Sequence, residues 1–221
     1  MTSRTTDRAL IRTFREDVSD PVVDDAACIV RDGGVIAMPT DSFYALGASV
    51  FNERAVHRVC AIKGRGEANP ILVLIADRSQ LDALVSCVPP AAALLMDRFW
   101  PGPLTIVLPA SPRLPAALTA GTGTVGVRLP ALSPLVTLLR ATGPLTGTSA
   151  NRSGVPPARS AREVEESLGA DVELILDGGP ASAAMPSTVV EATDMVRVIR
   201  EGPIARTTIE TVLSEKGIQL A

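Results

Sequence analysis

Apolar positions in this chain fall into two kinds of pattern. Residues 35–38 and 71–76 are short, unbroken apolar runs. Runs of that length without polar alternation predict strands covered on both faces. Further strands are predicted at 104–108, 125–129, 144–146, 172–176, 187–192 and 196–200, the last two as antiparallel neighbours. Helical spacing fills the intervals. Asp20 and Pro21 supply an N-cap and a first-turn proline for a helix that runs to Arg31 and stops at Gly33-Gly34. Asn52 reads as the cap of a helix carrying Ala55, Val56, Val59, Cys60 and Ile62. Other helices are expected from Ser79, from Pro89-Pro90 to near Trp100, over 133–141, over 160–168 with Ser160 as cap, and over 207–216. Trp100 to Pro103 is a rigid turn, and 112–120 reads as irregular.

Strands and helices alternate, but hairpin-like pairs interrupt the alternation. The order predicts an α/β single domain, a twisted mixed β-sheet with flanking helices, and not a pure Rossmann arrangement. Residues 1–19 read as a loosely ordered arm with one short strand near 11–14. Residues 20–206 form the domain, and 207–221 a terminal helix packed on it.

Composition narrows the class. The chain has 221 residues, 46% hydrophobic but only 3% aromatic, so the core is aliphatic. A net charge of −3 gives no global argument for nucleic-acid binding. Cys28, Cys60 and Cys87 are widely spaced, with no metal-ligand or disulfide pattern, which points to the cytoplasm. No apolar run approaches the roughly 18 residues of a membrane span, and the polar N-terminus lacks a secretory pattern.

Polar residues interrupt the pattern where strands end. Pro39-Thr40-Asp41-Ser42-Phe43-Tyr44 follows the first confident strand, the position at which α/β sheets hold ligands. Thr124 with Arg128, Gly147 to Gly154, and Ser187-Thr188 are similarly placed. With Lys63, Arg65 and Arg200 they form a set of hydroxyls, amides and cations. Such a set binds phosphate or carboxylate oxygens. It lacks the histidine or paired carboxylates of general acid–base chemistry. His57, the single histidine, reads as a solvent-facing helix residue. No Walker loop or GxSxG motif is present, and no GxGxxG follows the first strand. Ser149 reads as a hydrogen-bond donor, with an ordinary capped turn as the competing reading.

These residues occur in an order that resembles the YrdC/Sua5 family, the L-threonylcarbamoyladenylate synthases of tRNA t6A formation. The resemblance rests on residues 39–47 (PTDSFYALG), Lys63-Gly-Arg65 with Asn69-Pro70, 100–105 (WPGPLT), 125–130 (VGVRLP), 148–154 (TSANRSG), 186–190 (PSTVV) and 200–202 (REG). It implies a twisted sheet around a basic concave cavity. It also implies a nucleotidyltransferase that joins L-threonine, bicarbonate or CO2, and ATP, releasing pyrophosphate. By motif, Lys63, Arg65, Thr124, Ser149, Asn151 and Arg200 hold ATP, with Lys63 and Arg65 catalytic. Thr40, Arg128 and Ser187 hold threonine. Magnesium accompanies the triphosphate, with no metal site built by the protein itself. The downstream partner is the t6A transfer machinery, beside weak direct tRNA or RNA contact and no membrane.

The chain departs from the family pattern at Ala45, Gly66, Leu74, 132–134 and Pro157. It resembles the short, single-domain form. Two other readings stay open. One is a related carbamoyl-adenylate-forming enzyme, which differs at the threonine subsite. The other is a non-enzymatic RNA-binding module, disfavoured by charge and by the scarcity of aromatic residues.

Overall fold

The computed structural model describes residues 9–15, 21–64, 69–181 and 185–221. In chain order they form β1 (Leu10–Thr13), α1 (Pro21–Arg31), β2 (Ile36–Met38), β3 (Ala45–Gly47), α2 (Glu53–Lys63) and β4 (Val73–Leu74). A 3-10 turn leads into α3 (Leu81–Leu84), followed by α4 (Pro90–Phe99), β5 (Leu104–Pro109), α5 (Ala116–Thr119) and β6 (Thr124–Arg128). The chain continues through α6 (Ser133–Thr142), β7 (Leu145–Thr146), β8 (Thr148–Ser149), α7 (Ala161–Leu168) and β9 (Leu174–Asp177). It closes with β10 (Thr188–Ala192), β11 (Val196–Arg200) and α8 (Arg206–Ser214).

The mixed α/β class holds, but the strands are divided between two sheets. One has the order β1-β9-β2-β3-β8, the other β11-β10-β5-β6-β4-β7. Both mix parallel and antiparallel pairs. In the first, β1 and β2 run parallel to β9, and β3 runs antiparallel to both β2 and β8. In the second, β10 and β11 pair antiparallel, as their sequence predicts.

The unbroken apolar runs are explained by two cores. Along 35–38, Val35 and Ala37 enter the larger core, while Ile36 and Met38 enter the smaller one with α1 and α6. At 73–76, Val73 and Ile75 face the larger core, Leu74 and Ala76 the smaller. Successive side chains on a strand point to opposite faces, so a strand buried on both faces has no polar position to show. Helix α8 packs against α4, and its Ile209, Val212 and Leu213 join the larger core.

Local signals were read correctly where a cap was present. Asn52 accepts the N–H of Ala55 at 3.1 Å and opens α2, and Gly64 closes it in the left-handed region. Ser160 caps α7 through Glu163 N–H. Asp20, the expected cap of α1, lies outside the described residues, as do 1–8 and 16–19 of the expected arm. The short strand expected near 11–14 is β1. Other expectations change. The 71–76 strand contracts to β4, because Ile71 N–H bonds Leu118 O, in the α5 turn outside the sheet. Segment 112–120 contains α5, one turn set by Pro115 and ended by Ala120 at φ 52°. Strands β3 and β8 were not predicted, being too short to show a period.

The chain passes from one sheet to the other between β7 and β8, across the single residue Gly147. A Cβ there would lie 2.6 Å from Leu74 Cγ. Beside it, the fully buried Thr146 joins the sheets. Its Oγ1 donates to Leu46 O at 2.8 Å and accepts from Ala48 N–H at 3.0 Å, and its own N–H donates to Ala48 O at 2.9 Å. Thr146→Val keeps the shape and strands two buried backbone groups. It is expected to lower unfolding free energy by about 1–3 kcal/mol for a buried group left unsatisfied, measured by denaturant titration.

Candidate functional site

A cavity of about 470 Å³ opens beside this crossing. That volume lies within the range of small-molecule sites. Its wall is built from the turn after β2 (Thr40, Ser42, Phe43), the end of β6 (Arg128), the crossing (Gly147, Thr148, Ser149), and Pro186, Ser187 and Arg200. Arg128 and Arg200 end β6 and β11 of one sheet and Ser149 ends β8 of the other, so the cavity gathers strand ends from both sheets.

Thr40 organises its own turn. Its Oγ1 accepts from the N–H groups of Ser42 (3.0 Å) and Phe43 (3.2 Å) and donates to Phe43 O (2.7 Å). This is the hydroxyl turn that serine and threonine form in place of regular structure. It presents Ser42 and Phe43 to the cavity. Arg159 covers the Phe43 ring, 5.9 Å from its centroid.

Lys63 ends α2 and is only 4% exposed. Its Nζ donates to Ser149 O (2.7 Å), Ser149 Oγ (3.2 Å) and Asn151 Oδ1 (2.6 Å). Ser149 Oγ also donates to Asn151 Oδ1 at 2.6 Å. The ammonium therefore stands behind Ser149 and fixes the 149–151 segment. Asn151 Nδ2 donates to Arg152 O (3.1 Å) and to Val155 O, closing the loop. Ser149 lies on the cavity wall; Lys63 and Asn151 form the layer beneath it.

The two cavity arginines are held differently. Arg128 is 2% exposed; its Nε donates to Gly102 O (2.9 Å) and its Nη2 to Asp41 Oδ2 (2.6 Å). Burial lowers its pKa, and the adjacent Asp41 carboxylate opposes that shift. Arg200 Nη2 and Nε donate to Ser187 O at 2.9 and 3.3 Å. Burial lowers its pKa too. It has no carboxylate partner among the described residues. Ser187 Oγ pairs with Thr105 Oγ1 at 2.8 Å, which fixes the start of β10 against β5.

Of the expected residues, Thr40, Arg128, Ser149, Ser187 and Arg200 share one wall, with Lys63 and Asn151 directly behind. Thr124 does not join them. It begins β6, four residues or about 13 Å before Arg128 along the strand, and its hydroxyl pairs with Thr122 Oγ1 at 3.0 Å. Arg65 lies outside the described residues. His57 is exposed on α2, four residues after Glu53. Ala45 and Pro157 line the cavity, whereas Leu74 is core. Asp41 received no role from the sequence, although a lone carboxylate among cations at a strand end was the available signal. Thr105 gave none, because its partner is 82 residues away. Among the described residues no three His, Cys, Asp or Glu side chains gather as metal ligands.

A family model named for Sua5, YciO and YrdC, described as "Telomere recombination", matches residues 28–202. The chain belongs to this Sua5/YciO/YrdC family. A Pyrococcus abyssi protein named threonylcarbamoyl-AMP synthase is 38% identical over 208 residues, covering 93% of this chain and 61% of that protein. A Bacillus subtilis protein of the same name is 40% identical over 198 residues, covering 88% and 57%. The crystal structure of P. abyssi Sua5 complexed with L-threonine aligns at a TM-score of 0.89 and 37% identity, covering 96% of this chain and 63% of that one. The chain thus spans about three-fifths of the length of these relatives.

Tyr44 offers a direct probe of the cavity wall. It is the single tyrosine, is fully buried, and donates to Gly179 O at 2.7 Å. Burial first, and Asp177 second, raise its pKa to about 12. The folded state therefore holds the proton more tightly than the unfolded chain. The associated stability is complete below about pH 10, the ordinary tyrosine value, and is lost as pH rises towards 12. Tyrosinate absorbance is expected to titrate near 12 in native protein and near 10 in denaturant. A native titration near 10 would mean that the phenol is not enclosed.

Proposed function

We propose that the chain is a threonylcarbamoyl-AMP synthase, forming L-threonylcarbamoyladenylate and pyrophosphate from L-threonine, bicarbonate or CO2, and ATP. The observation that carries this reading is one cavity with two arginines in different settings. Arg128 is charge-compensated by Asp41, and Arg200 is not. The second suits phosphate and the first an amino acid. The names of the P. abyssi and B. subtilis relatives, and the threonine in the P. abyssi structure, support the same assignment.

The chemistry asks little acid–base work of the protein. The threonine amine, as its free base, attacks CO2; an N–C bond forms as one C=O π pair moves onto oxygen, and the nitrogen gives up a proton to water, leaving a carbamate. A carbamate oxygen attacks the α-phosphorus of ATP; the bond to the bridging α,β oxygen breaks, and pyrophosphate leaves with that electron pair. The protein's contribution is to align two anions and stabilise charge developing on phosphate oxygens. Arg200 and Ser149 face the phosphates, Lys63 holds Ser149 in place, and Arg128 receives the threonine carboxylate, with Thr40 and Ser187 shaping that half. The hydroxyls of Ser42, Thr148 and Ser149 are among the hard oxygen donors on the wall, with those of Thr40 and Ser187, and they fit a magnesium ion held mostly by phosphate oxygens and water. When bound, that ion neutralises the triphosphate and the leaving group. Three cysteines without a disulfide support a cytoplasmic setting, with the product passed to a t6A transfer machinery. No helix among the described residues is long and apolar enough to cross a membrane.

Pyrophosphate release with ATP and magnesium is expected to require both threonine and bicarbonate. Release without threonine would indicate a different adenylate, such as a carbamoyl adenylate. No release, with RNA bound in a salt-dependent way, would indicate a binding module. Lys63→Ala, which releases Ser149 and the 149–151 segment, is expected to reduce turnover roughly 10²–10³-fold, the loss typical of misplacing one donor to developing charge. Arg200→Ala is expected to raise the KM for ATP more than that for threonine. Wild-type-like kinetics in both variants would remove the assignment of this cavity.

A further inference from the structure

The two halves of the cavity differ in net charge, and one carboxylate makes the difference. Arg200 contributes an uncompensated cation whose described partner is a backbone carbonyl. Arg128 and Asp41 contribute an ion pair at 2.6 Å, their side chains 3% and 21% exposed, so their half gains no net charge. The pair is not internally complete. Asp41 Oδ2 takes Arg128 Nη2 and, more distantly, Ala131 N–H at 3.5 Å. Asp41 Oδ1 is buried without a hydrogen-bond partner, the one such side-chain atom among the described residues. An acceptor left unsatisfied in a low-dielectric interior is costly and generates negative potential around it. Arg128 Nη1 makes no hydrogen bond to the described residues. The pair therefore offers a donor on one side and negative potential on the other. That arrangement matches a ligand carrying a carboxylate and an ammonium on the same carbon. A lone arginine would favour any anion, including the phosphates that the other half collects.

We propose that Asp41 is a specificity-determining residue of the amino-acid half, cancelling the charge of Arg128 so that this half selects a zwitterionic α-amino acid over a simple carboxylate or phosphate. The proposal rests on the synthase reading above. Asp41 also holds Arg128 in place, so the test separates charge from position. Asp41→Asn keeps an oxygen acceptor for Nη2 and removes the charge; Asp41→Glu keeps the charge.

The experiment is calorimetric titration of the intact chain with L-threonine and with β-hydroxybutyrate, which keeps the carboxylate and hydroxyl but lacks the ammonium. Wild type is expected to prefer threonine. Asp41→Asn is expected to narrow that preference roughly tenfold or more, the scale of one charge acting at close range, and to let inorganic phosphate compete with threonine. Asp41→Glu is expected to retain the preference. An unchanged threonine-to-analogue ratio in Asp41→Asn would overturn the proposal. If Asp41→Asn does not fold, equal binding of the two ligands by wild type overturns it without any variant. A wild-type protein that binds neither ligand and releases no threonine-dependent pyrophosphate sinks the synthase reading itself. One that binds threonine with selectivity indifferent to Asp41 sinks only this role.

Discussion

Gly147 carries the chain from one sheet to the other with no residue to spare, and the architecture around the cavity depends on that crossing. Leu74 fills the space where a side chain would stand. Thr146 on one side is bonded through its hydroxyl and its N–H to Leu46 and Ala48 of the opposite sheet. Thr148 and Ser149 on the other side pair with Leu46 and Ala45. A crossing this tight brings strand ends from two sheets to one place. The cavity is the space between them, and its polar wall consists of strand-end residues such as Arg128, Ser149 and Arg200 together with turn residues such as Thr40 and Ser42.

The energetics of the wall follow from burial of charge. Lys63 and Arg128 are almost wholly removed from water, which is costly unless hydrogen bonds and counter-charges replace hydration. Lys63 finds Ser149 and Asn151; Arg128 finds Gly102 and Asp41. These bonds stiffen the 149–151 loop and the guanidinium, so the groups that face a ligand are already positioned. Among the described residues the Arg200 guanidinium is held by one backbone carbonyl, Ser187 O, which orients it without cancelling its charge. A phosphate entering that half meets an undiminished cation in a partly desolvated setting, where electrostatic attraction exceeds its value in open water.

The missing base is informative in the same terms. The single histidine is exposed on α2, and the Asp41 carboxylate beside the cavity is committed to Arg128. A reaction suited to this site draws on alignment and charge stabilisation rather than on proton abstraction by a poised side chain. Adenylate formation by an already ionised carbamate is such a reaction.

Residue types and short-range spacing determined much of this protein directly from its sequence. Asn52, Ser160 and the glycines after α1 and α2 set helix ends because capping acts within four residues. The run at 35–38 marked a strand covered on both faces because period-two geometry leaves it no solvent side. The motifs that carry the cations and hydroxyls, in their order, resembled the YrdC/Sua5 family, to which the chain belongs. Tertiary structure decided the rest. The division into two sheets, the short strands β3 and β8, and the placing of Thr124 away from the wall arise from pairings between residues far apart in sequence. So do the bond from Thr105 to Ser187 and the ion pair from Asp41 to Arg128 across 87 positions. No local pattern encodes such contacts, because each partner's neighbourhood satisfies its own propensities and only the packed chain brings the two together.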